Sequence, residues 1–166
     1  RMMNVIVSVD DSECSTRVIE AVRNRSWPAG TKFLVLAVVN RFQIPPPPPP
    51  MLMLLGTGAR EPRGRVAHAR VTVQLAVEEL RSADLDAQGE VRQGNSRREI
   101  LRATQGFLAG LIVIGSPWAP GWPRVIWGAW GGGLATRVSA SAPCSVDVVR
   151  ATGASAVAFP SAWLIG

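Results

Sequence analysis

Seven consecutive apolar residues, Phe33-Leu34-Val35-Leu36-Ala37-Val38-Val39, constrain this chain more than any other feature of it. A strand with one wet face alternates apolar and polar residues. A strand without alternation is covered on both faces, as in a parallel sheet. Leu111-Ile112-Val113-Ile114 repeats the signal, and Asn4-Val5-Ile6-Val7-Ser8-Val9 is a third run rich in β-branched residues. Sheets of this kind need helices above and below, so the remaining sequence must supply them.

It does so at regular intervals. Asp10-Asp11-Ser12 ends the first run with strand-stop and helix N-cap chemistry, and Cys14, Val18, Ala21 and Val22 follow at helical spacing up to the turn Trp27-Pro28-Ala29-Gly30. Val66, Ala69, Val73, Ala76, Val77 and Leu80 form one stripe and predict a helix from Arg65 to about Ser82. A short strand is expected over 86–92. Ser96 with Glu99 then reads as a capping box for a helix carrying Ile100, Thr104, Phe107 and Leu108. Leu134 to about Ser141 predicts a last helix, Ala142-Pro143-Cys144 a turn, and Ser145 to Val149 a final strand.

Strand and helix alternate throughout. The expected fold is an α/β three-layer sandwich: a five-stranded, mainly parallel sheet with helices on both faces and right-handed crossovers. Ligands of such sheets bind beyond the carboxyl ends of the strands, where the strand order reverses. Asp10, the end of the second strand near Val38, and Gly115 stand at such positions.

A length of 166 residues fits one domain over 1–150 with a C-terminal tail over 151–166. Within the domain, 40–64 reads as an insertion, in which Pro45 to Pro50 form a stiff polyproline II spacer ahead of the apolar Met51 to Leu55. No apolar run approaches the ~18–20 residues of a membrane span, and the start of the chain lacks a secretory pattern, so a soluble, cytoplasmic protein is expected. The net charge of +6 is carried almost wholly by arginines spread along the chain without interleaved aromatics, which argues against a nucleic-acid surface.

Cys14 and Cys144 should remain free thiols, because the layout separates them by about a strand length, ~17 Å. A single histidine, His68, supports no Ser-His-Asp triad, two isolated cysteines make no zinc site, and no Gly-x4-Gly-Lys-Ser/Thr loop occurs. No catalytic residue and no metal ligand is expected.

Five stretches in order and spacing carry a resemblance: Val5 to Ser12, Leu36 to Val39, Gly94-Asn95-Ser96 ahead of Ile100, Leu111 to Ser116, and Ala142 to Val149. Over roughly 3–150 the chain resembles the universal stress protein family. That resemblance implies a stress-response regulatory protein, not an enzyme, with a site for ATP or AMP, magnesium accompanying ATP. Its parts are an acidic residue after the first strand (Asp10), backbone after the second (Val38), and a phosphate loop patterned Gly-x2-Gly-x9-Gly-Ser/Thr that begins at Gly115.

The loop departs from that pattern. Counted from Gly115, the second glycine is replaced by Trp118 and the closing pair is Gly128-Ala129; counted back from Ala142-Pro143-Cys144, the closing pair is Gly132-Gly133, with four extra residues. Neither register supplies the hydroxyl. The alternative is therefore a nucleotide-independent dimeric interaction module with a degenerate pocket. The resemblance also implies a homodimer through the last strand, at Val146, Asp147, Val148 and Val149. A protein partner would meet the Trp-rich loop of Trp118, Trp122, Trp127 and Trp130, or the Pro-rich insertion.

Overall fold

A computed structural model describes residues 2–10, 13–40, 62–116, 133–150 and 155–158. The Pro-rich insertion, Trp118, Gly128, Gly132 and the Trp cluster lie outside the described residues. In chain order the elements are β1 (Asn4–Val9), α1 (Glu13–Arg23), β2 (Lys32–Val39), α2 (Pro62–Arg81), β3 (Asp86–Gln93), α3 (Ser96–Phe107), β4 (Leu111–Ser116), α4 (Leu134–Ser139), β5 (Ser145–Arg150) and β6 (Ser155–Ala158).

The sheet runs β3-β2-β1-β4-β5-β6. Its first five strands are parallel, with β1 pairing β2 on one side and β4 on the other, so the order reverses between β1 and β4. Alternate residues of the central strands feed two cores. Val5, Val7, Val9, Phe33, Val35, Ala37, Leu111 and Val113 pack with α1 and α2. Ile6, Leu34, Leu36, Ile112 and Ile114 face Ile100 and Ala103 of α3 and Ala135 and Val138 of α4. The apolar runs are unbroken because both of their faces are used.

The expected five parallel strands are all present, and β6, beyond the expected domain boundary, adds antiparallel to β5. On the side away from β4, β5 pairs with β6. Val146, Asp147 and Val149 are buried, and Asp147 Oδ2 meets Arg25 Nη1 at 3.0 Å. Finally, α3 is capped by Asn95, whose side chain accepts from the Arg98 N–H at 3.1 Å, one residue before the expected Ser96.

Both cysteines are free. Among the described residues, no helix is long and apolar enough to cross a membrane.

Candidate functional site

Beyond the carboxyl ends of β1, β2 and β4 lies a cavity of about 260 Å³, lined by Ser8, Val9, Asp10, Ser15, Val38, Ser96, Ile100, Ile114, Gly115, Ser116, Gly133, Leu134 and Ala135. It stands at the reversal of strand order, where open α/β sheets place ligands. Parallel strands that end in register bring Asp10, Val38 and Gly115 together, and the starts of α3 and α4 close the far side. Gly133 enters as the residue before α4, in extended conformation. Of the residues expected from sequence, Asp10, Val38, Gly115 and Gly133 thus converge on one cavity.

A second cavity of about 260 Å³ opens on the other side of the same strand ends, lined by Val9, Asp10, Ala37, Val38, Val39, Asn40, Arg65, Ala69 and Thr72. Val9, Asp10 and Val38 form the wall common to both. Each volume falls just below the roughly 300–1,000 Å³ usual for small-molecule sites.

Asp10 is exposed at the strand end and held by Ser15, the third residue of α1. The Ser15 hydroxyl accepts from the Asp10 N–H at 2.7 Å, and its proton is within reach of Asp10 O at 2.7 Å and Oδ1 at 2.9 Å. Since Ser15 is buried, this contact fixes the acidic group relative to the first turn of the helix. Four hydroxyls, Ser8, Ser15, Ser96 and Ser116, line the cavity. Sequence reasoning had not assigned Ser8, Ser15 or Ser116 to the site.

Gly115 lines the cavity and also sets how closely α1 approaches β4. A Cβ there would point into the α1 layer, 2.9 Å from Cys14 Cβ and 3.3 Å from Val18 Cγ2. Its lack of a side chain lets α1 lie against β4. Cys144 is half-buried, and burial pushes its thiol up, away from thiolate chemistry. No group of three or more metal-ligating side chains occurs among the described residues.

A family model described as the universal stress protein family matches residues 2–150. No curated protein sequence matches the chain. Among solved structures, a universal stress protein in complex with cAMP is 16% identical, with a TM-score of 0.62 over 89% of this chain and 96% of that one. One from Archaeoglobus fulgidus in complex with dAMP is 20% identical, with a TM-score of 0.56 over 88% and 96% of the respective chains. A universal stress protein from Lactobacillus plantarum is 22% identical, with a TM-score of 0.61 over 89% and 97%. Likeness at these identities is a likeness of fold.

Proposed function

The chain belongs to the universal stress protein family, and on that footing we propose that it is a stress-response regulatory protein that binds an adenine nucleotide at the end of its central strands. The observation that carries this reading is the convergence of Asp10, Val38, Gly115 and Gly133 on one serine-lined cavity at the reversal of strand order. Neutral hydroxyls and bare backbone suit a sugar and a phosphate, Asp10 accepts from ribose hydroxyls, and the start of α3 adds a favourable dipole for an anion. Solved members of the fold with cAMP or dAMP bound support adenine as the base.

In this reading the site binds and does not turn over. Its output is a change in what the protein contacts.

The test is calorimetric titration with AMP, cAMP and ATP, the last with and without magnesium, on the native chain and on Asp10→Ala. Micromolar binding is expected, weakened in the variant by about tenfold or more, as for loss of a charged hydrogen bond worth ~1.5–3 kcal/mol. No heat with any of these ligands would sink the reading and leave the nucleotide-independent module. Steady phosphate release from ATP would instead make the protein an enzyme.

A further inference from the structure

The cavity on the α2 side of the strand ends shares only one wall with the nucleotide site proposed above. It exists because small residues stand in both of the layers that bound it. Ala37 of β2 and Ala69 of α2 are buried in one core whose other members are mostly valines. Where close packing would call for larger side chains, the two alanines leave about 260 Å³ unfilled. Connectivity then sorts the lining by polarity. Strands β2 and β3 are parallel, so α2, which joins them, runs back along the sheet. Arg65, near the start of α2, therefore stands level with the strand ends, where Asp10 follows β1 and Asn40 follows β2. Ala69 and Thr72 lie about one and two turns deeper on the same helix face.

The mouth thus carries a cation, a carboxylate and an amide, while the depth is aliphatic, with Val9, Ala37 and Ala69 all buried. Thr72 gives its hydroxyl proton to the His68 carbonyl at 3.1 Å, within its own helix. A ligand that matches has both charges at one end and a small apolar body at the other. Arg65 offers a planar fork to a carboxylate, Asp10 accepts from an ammonium, and the Asn40 amide suits either. A hydrocarbon alone would desolvate the charges at the mouth without replacing their hydrogen bonds. We propose that this cavity is a second binding site, independent of the nucleotide reading, for a free α-amino acid with a small aliphatic side chain.

The test is titration of the nitrogen-15-labelled full chain with L-valine, followed in amide correlation spectra. Saturable shifts are expected at Asp10, Asn40 and Ala69, and Arg65→Gln should weaken the affinity by about tenfold or more, as for loss of a charged hydrogen bond. Isobutylamine, which lacks the carboxylate, and isovalerate, which lacks the ammonium, should each bind about tenfold or more weakly than valine. Ala69→Leu fills the depth and should abolish the shifts; should that chain fail to fold, Arg65→Gln, at a half-buried position, carries the comparison. Ser96→Ala, which changes the other cavity only, should leave valine affinity as it is, whatever it does to nucleotide binding. No saturable shift with valine overturns the proposal, as does undiminished affinity in Arg65→Gln or equal affinity for isovalerate. Adenine binding at these residues in preference to valine also overturns it, and would make the cavity the base pocket of the nucleotide site.

Discussion

At the scale of the residue, the site depends on how closely α1 lies against the strand ends. Gly115→Ala places a Cβ 2.9 Å from Cys14 Cβ, and both atoms are fixed to backbone, so no side chain can swing away. The first turn of α1 must shift, and Ser15 with it. Overpacking of this kind costs about 1–3 kcal/mol. We expect a lower urea midpoint and also weaker nucleotide binding in Gly115→Ala, because the Ser15 hydroxyl would no longer hold Asp10. Full stability in the variant would show that the helix adapts without cost. Asp10, Val38 and Gly115 were legible from sequence because they end strands, and strand ends define a site in this architecture. The serines were not. A serine carries no pattern that separates a cavity-lining hydroxyl from a solvated one, and only the register of β1 with β4, Ser8 beside Ile114, makes Ser8 a neighbour of Ser116.

At the scale of the element, α2 is held on the sheet through a second close approach. A Cβ on Gly89 of β3 would overlap Val73 Cγ1 and come within 3.1 Å of Val77 Cγ2, both on the buried stripe of α2. Gly89→Ala should therefore lower the urea midpoint by the equivalent of about 1–3 kcal/mol. Val73→Ala alone leaves a cavity and also destabilises. Combined, the two should cost less than the sum of the singles, because the methyl that clashes is the one removed; denaturation of all four chains yields the coupling. Strict additivity would mean that the two residues do not touch. The stripe on α2 and the apolar runs of β1, β2 and β4 were readable because each repeats its period several times. The start of α3 was not fixed to the residue, since Asn95 and Ser96 are both good caps and backbone geometry chooses between them. Nor was β6, which has a single β-branched residue and exists as a strand only because β5 offers an edge.

At the scale of the whole molecule, one chain of side chains ties the turn after α1 to the far side of the sheet. Phe33 meets Trp27 edge-on at 5.1 Å, the Arg25 guanidinium lies 5.0 Å from the Trp27 ring centroid, and Arg25 Nη1 reaches Asp147 Oδ2 at 3.0 Å. This joins residues separated by 122 positions, from the α1–β2 connection to β5. The pair is asymmetric, with side-chain exposure of 46% for Arg25 and 7% for Asp147. Solvent screens the guanidinium, whereas the carboxylate is poorly solvated without it. Arg25→Ala should thus cost more than the roughly 0–1 kcal/mol of an exposed pair and less than the ~3–5 kcal/mol of a buried one. Arg25→Lys keeps the charge but loses the planar contact with Trp27, so an intermediate loss is expected. Urea midpoints at ~0.1 M and ~1 M salt separate the contributions, since screening at the higher concentration weakens the charge but leaves the stacking. Nucleotide affinity should be unchanged throughout, because none of these residues lines either cavity. Equal stability of Arg25→Ala and the native chain at low salt would show that Asp147 is held by its other neighbours, and that β5 does not depend on this tie for its place in the sheet.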